Sequence, residues 1–254
     1  MKIKQLCFVS GVALAATLGT AGAAQAALVV VPTDLAPGAQ YRLVFVTDGT
    51  RDATSTNIND YNNFVTNQVT GSALANALSG AGLTTTWKAI GSTASVAARD
   101  NTGTNPSSTG VPIYLINGNK VANNNADLWD GSIQTAINIT QNDSASGLPQ
   151  VFTGTITNGT NQETSTVLGS GGNVGPGGNV LYGNNGDTET DVWIWDDQAD
   201  SALEQSFYGM SGVLTVPGNQ PPAPVTVPEP SSLLGYIAFT FETWKPISEK
   251  NAII

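Results

Sequence analysis

The chain contains no histidine and a single cysteine, Cys7, so the side chains left to do chemistry are carboxylates. Asp187, Glu189 and Asp191 alternate after Asn184-Asn185-Gly186, and Asp196, Asp197 and Asp200 follow. Hard oxygens at alternate positions suit Ca²⁺, which takes about 6–8 oxygen ligands. The spacing imitates the start of an EF-hand loop, without the glycine at its sixth position or the glutamate at its twelfth. The competing reading is a solvated acidic loop. A second set is Asp127 and Asp130, which flank Trp129. Two carboxylates serve as acid and base in glycoside hydrolysis, and an aromatic ring beside them can stack on a sugar. Read structurally, Trp129 is core and Asp127 caps a turn. Trp193 and Trp195 share one strand face by the two-residue period, with Ile194 opposite. They read as core or, if Ile194 faces inward, as an exposed sugar platform.

Other chemistry is excluded by residue type. Without histidine there is no Ser-His-Asp triad, no Cys-His dyad and no histidine zinc site. The Gly-rich stretch Gly169 to Gly178 lacks the Gly-Lys-Ser/Thr ending of a phosphate-binding loop and reads as a surface loop. Lysine and arginine number 9 against 19 aspartates and glutamates, for a net charge of −10. Between Ala27 and Thr226 the basic residues are Arg42, Arg51, Lys88, Arg99 and Lys120. Such a surface repels phosphate backbones, so nucleic acid is not an expected partner.

The elements that must position these groups are mainly β. Tyr41 to Thr47 is nearly continuously apolar, which predicts a strand buried on both faces. Ile58, Tyr61, Phe64, Val65 and Val69 recur at helical spacing after a cap at Ser55 or Thr56. Ser72 to Leu78 predicts a second short helix. Strands are expected at Trp87–Ile90, Val111–Ile116, Val151–Thr155, Val192–Trp195 and Phe207–Val216. Arg99 to Gly110 reads as a polar loop and Asp127 to Gly131 as a packed turn. Ile133 to Ile139 has alternating character. Asn117-Gly118 and Asn158-Gly159 are hairpin-type turns.

The N-terminus predicts export. Lys2 and Lys4 precede an apolar stretch from Leu6 to Leu18, and Ala24-Gln25-Ala26 offers a small-x-small cleavage site. The apolar core is shorter than the roughly 20 residues a membrane span needs. The expected organisation is a signal peptide over 1–26 and one extracellular domain over 27–217. A Pro-rich linker over 218–230 and a tail over 231–254 complete it. The mature domain carries no thiol, so burial rather than disulfides must hold it. Periplasm, outer surface or extracellular matrix is the expected location.

Val227-Pro228-Glu229-Pro230-Ser231-Ser232-Leu233-Leu234-Gly235 resembles the PEP-CTERM sorting signal of Gram-negative exported proteins. That resemblance implies an exosortase-type sorting system as partner and association with the cell surface or its exopolysaccharide. The tail departs from the family pattern after Gly235. Its apolar stretch, Leu233 to Phe241, is about half the length of a span, and no arginine cluster follows. Membrane contact through the tail is therefore expected to be transient.

The body resembles endostatin-like and related C-type-lectin-like domains in motif order. The motifs are Val111-Pro112-Ile113, Asp127-Leu128-Trp129-Asp130-Gly131-Ser132, and Val151-Phe152-Thr153-Gly154-Thr155 with Asn158-Gly159. This similarity implies an α+β fold with two short N-terminal helices and loop-rich antiparallel β structure. An all-β sandwich of jelly-roll type is the alternative. The resemblance implies a binding fold rather than an enzyme, and no specific ligand. Together with the sorting motif it makes a non-enzymatic surface- or matrix-associated domain the expected function, with glycan or polysaccharide as the expected ligand. A carboxylate-based glycan hydrolase is the alternative activity. No cofactor is expected apart from Ca²⁺ at the acidic set.

Overall fold

β1, Gln40–Val46, is the strand around which the sheet is built. In the computed structural model, which describes residues 28–161, 165–171 and 178–218, both of its faces are buried. Tyr41, Leu43 and Phe45 enter one apolar cluster, and Val44 and Val46 enter another. Burial on both sides is why this strand reads as a continuous apolar run rather than an alternating one. The expected signal peptide, the Val227–Pro230 motif and the tail lie outside the described residues.

Two helices follow β1. α1, Ile58–Val69, turns Ile58, Tyr61, Val65 and Val69 inward. Its cap is Asn57, whose side chain accepts from the Asn59 N–H at 3.1 Å, while Ser55 accepts from Asn57 N. α2, Ala73–Gly80, is capped by Ser72, whose hydroxyl accepts from Ala75 N at 3.2 Å. Two further short helices were not expected. α3, Ala98–Thr102, occupies part of the stretch read as a polar loop, and α4, Asn125–Leu128, precedes Trp129. At five and four residues they are too short to show a periodic stripe.

The remaining strands are β2 (Trp87–Ala89), β3 (Ile113–Leu115), β4 (Lys120–Ala122), β5 (Gln150–Phe152), β6 (Asn179–Asn184), β7 (Asp197–Asp200), β8 (Tyr208–Ser211) and β9 (Leu214–Thr215). One sheet has the order β2-β8-β1-β3-β4, with β9 also paired to β1; the other has the order β5-β6-β7. β1 pairs with β3 in parallel, a departure from the expected antiparallel structure, and the other named pairs are antiparallel. Pro112 sits just before β3, where its carbonyl accepts from Arg42 N at 2.9 Å and its missing N–H costs nothing. The stretch Phe207–Val216 is two strands, with Gly212 between them. Ile133 and Ile137 are buried, but their segment forms no strand. Few helices with two sheets make this an α+β protein, and α1 and α2 exclude the all-β sandwich.

The strand expected at Val192–Trp195 is a turn. The N–H groups of Ile194 and Trp195 both donate to the Asp191 carbonyl, at 2.9 and 2.7 Å. Its apolar side chains fill the core without a ladder. The strand that follows, β7, has the polar sequence Asp-Gln-Ala-Asp, which gives no alternating signal.

Three buried phenols predict an alkaline limit to stability. Tyr41 donates to the Val30 carbonyl at 2.7 Å, Tyr61 to Ser55 O at 2.7 Å and Tyr208 to Trp193 O at 3.0 Å. Burial is the main cause that raises all three, with Tyr41 pushed up to about 12. These phenols ionise in the unfolded chain near pH 10 but stay neutral in the fold. Their stabilisation is therefore complete below about pH 10 and is lost as pH rises toward the folded values. Tyrosinate absorbance should appear in two stages, the second coinciding with loss of the circular dichroism signal.

Candidate functional site

The carboxylates singled out by sequence are engaged in their own loops. Asp127 Oδ2 accepts from Asn123 N at 2.6 Å, Asn123 Nδ2 at 2.9 Å and Gln134 Nε2 at 2.9 Å. Asp130 Oδ1 accepts from Ser132 N and Oγ. Between them Trp129 is 5% exposed, and its indole N–H lies 3.1 Å from the Thr104 carbonyl and 3.0 Å from Thr104 Oγ1. Its ring packs on Trp193 at 5.8 Å. Trp193 is fully buried and also meets Tyr208, whereas Trp195 is half-buried against the same cluster. Ile194 is buried as well, so the pair of exposed tryptophans envisaged for a sugar platform is absent: a turn does not segregate alternate residues to opposite faces.

The acidic set is spread out. Asp187 Oδ1 accepts from Thr188 N and Glu189 N, closing a turn. Asp191 holds the next turn through its backbone carbonyl. Asp196 and Asp197 lie near Tyr182, whose phenol is raised chiefly by burial and then by those two charges. Asp187 instead acts on Tyr208. Among the described residues no three His, Cys, Asp or Glu side chains come together to hold a metal ion. Asp197 and Asp200 stand on β7, an outer strand of its sheet, where charge discourages pairing with another chain.

What the fold does assemble is a set of three depressions beside α1. Asn59, Asn62, Asn63 and Thr66 form a stripe at helical spacing beside the apolar one. β2 lies at the outer side of its sheet, and this stripe covers its free edge. Asn62 Oδ1 accepts from Ala89 N at 2.9 Å and from Asn101 Nδ2 at 2.8 Å. Asn62 Nδ2 donates back to Asn101 Oδ1 at 3.0 Å, and Asn101 Nδ2 also donates to Ala89 O at 2.8 Å. The Thr66 hydroxyl lies 3.4 Å from Trp87 O. The closed edge becomes the floor of a groove of about 570 Å³, lined by that stripe together with Thr85, Thr86, Trp87 and Lys88.

Two more depressions continue from it. Thr66, Thr85 and Trp87 also line a more apolar hollow of about 350 Å³, bounded by Val69, Leu78 and Leu83. Thr70 joins that hollow to a polar basin of about 470 Å³. In the basin Gln68 Oε1 accepts from Gly49 N at 2.9 Å and Gln141 Nε2 at 3.1 Å, and Asn142 Nδ2 donates to Asp48 at 3.3 Å. These amides are fixed by their own bonds, so their remaining donors and acceptors are aimed before any ligand arrives. Trp87 is 5% exposed, with its ring edge-on to Phe45 at 5.1 Å, so the groove offers hydrogen bonds rather than a stacking face.

The sequence places α1 with Asn and Asp on the face opposite its apolar stripe, but that pattern alone assigns the polar face no function. The signal was present: Asn or Thr at 59, 62, 63 and 66 repeats at the helical interval, in register with the apolar residues. Its partners lie 21 to 39 residues away in the chain, and only the fold brings the segments together. No model of a known protein family matches the chain, and no curated protein matches it.

Proposed function

We propose that this chain is an exported, non-enzymatic domain of the cell surface or its matrix, and that it binds a glycan along the groove beside α1. One observation carries the reading: the 570 Å³ groove is lined by three asparagine amides, three threonine hydroxyls, one lysine and the largely buried Trp87, with no carboxylate. Neutral amides and hydroxyls are matched to sugar hydroxyls, since each side both donates and accepts. Hydrolysis would require two free carboxylates facing one cleft, whereas Asp127 and Asp130 accept from their own loops.

The C-type-lectin-like reading is supported by chain order. The last strands, β8 and β9, pair with the first, and two helices follow β1. Export, sorting through Val227–Pro230 by an exosortase-type system, and residence among extracellular polysaccharide complete the proposal. Ca²⁺ has no assigned part in it.

A glycan array followed by titration calorimetry tests the groove. The double substitution Asn59→Ala and Asn63→Ala removes two exposed amides from the lining and leaves the apolar stripe intact. Affinity should fall about tenfold, corresponding to one or two hydrogen bonds, with an unchanged circular dichroism spectrum. Unchanged affinity would move the site elsewhere. Release of reducing ends from any bound glycan would overturn the non-enzymatic assignment.

A further inference from the structure

We infer that the sugar seated at the Lys88 end of the groove is anionic, carrying a carboxylate or sulfate that pairs with the Lys88 ammonium. This rests on the glycan-binding reading and narrows its ligand. Lys88 is the one ionised side chain in the lining. Among the described residues the ion pairs join Arg51 to Asp52 and Lys120 to Asp34, and neither involves Lys88. The single acid on α1, Asp60, is directed elsewhere: its carboxylate accepts from Ser55 Oγ at 2.6 Å and faces Asn57 Nδ2 at 3.4 Å.

A chain of net charge −10 repels an acidic polymer at long range. Salt screens that repulsion beyond about 10 Å at 0.1 M, so contact selectivity depends on local charge. Along this groove carboxylates are missing and a cation stands uncompensated. Asn59, Asn63 and Thr86 add neutral N–H and O–H donors for the remaining oxygens of an anionic sugar. Because Trp87 presents almost no ring surface, stacking does not compete with charge in choosing the ligand.

Titration calorimetry with a uronate oligosaccharide, a sulfated galactan oligosaccharide and a neutral dextran oligosaccharide of equal length tests the inference. At about 0.1 M salt, where the long-range repulsion is screened, the native chain should bind an anionic oligosaccharide about tenfold more tightly than the neutral one. Preference for the uronate or for the sulfated sugar identifies the group. Lys88→Gln should abolish the preference while its thermal midpoint stays at the native value, and Lys88→Arg should retain it. If Lys88→Gln binds anionic sugars as tightly as the native chain, and the Asn59/Asn63 variant still weakens binding, the anionic assignment falls and the groove stands. If the native chain binds none of the three, both readings fall.

Discussion

Changing Gly183 to alanine should cost the fold about 3–5 kcal/mol, among the largest effects of a single substitution. Gly183 lies next to the end of β6, and the turn that follows crosses directly over it. Asn184 N donates to Val192 O at 2.9 Å, and Asp196 N donates to Tyr182 O at 2.8 Å, pinning the turn on both sides. A Cβ at 183 would run into the Trp193 carbonyl oxygen, with the Trp193 carbonyl carbon at 2.6 Å and Ile194 Cα at 2.9 Å. All three are backbone atoms and cannot rotate away. Moving the turn would withdraw Trp193, fully buried between Trp129 and Tyr208. The thermal midpoint should drop by about 10 °C or more for a domain of this size. Gly186→Ala is the matched control, since its Cβ would meet only Asn184 Oδ1 at 3.5 Å. Similar midpoints for the two variants would show that the turn is not held against β6.

The same turn shows where sequence reading works and where it fails. β1 and α1 were legible because each buries a regular stripe: continuous for a strand covered on both faces, and 3.6-periodic for a helix covered on one. α2 was legible from the run of alanines and leucines up to Leu78, and the structure adds that Ser72 is its cap. Val192–Trp195 carries as strong an apolar signal, yet burial alone does not specify a ladder, and a packed turn satisfies the same side chains. β6 and β7 escaped notice for the opposite reason. Their pairing is set by partners distant in the chain, and β7 has no apolar pattern to announce it. The candidate site followed this logic. Charged residues attract attention in a sequence, but the fold spends Asp127, Asp130 and Asp187 on closing turns. The uncharged residues of α1 and of the approach to β2 acquire meaning only where they meet.

Asn62 is the residue that makes them meet, and Asn62→Ala should destabilise the domain by about 2–3 kcal/mol. At 4% exposure its amide is out of reach of water. Truncation leaves the Ala89 N–H without its acceptor and strips Asn101 of a reciprocal pair whose bonds run between 2.8 and 3.0 Å. Such a loss exceeds that of an exposed hydrogen bond because the orphaned groups stay buried. Asn101→Ala removes the other half and exposes the Ala89 carbonyl to the same deficit. The two substitutions share their bonds, so their costs should fall short of additive by about 1 kcal/mol or more in a double-mutant cycle. Replacing both residues with leucine should not restore stability, since each amide serves backbone groups of Ala89 that an apolar side chain cannot satisfy. The uncovered edge of β2 would then be free to pair with another chain, so Asn62→Ala should self-associate at concentrations where the native chain stays monodisperse in light scattering. Full additivity, or a leucine pair as stable as the native chain, would mean that the α1 stripe lies on β2 without closing it, and the groove would lose its fixed floor.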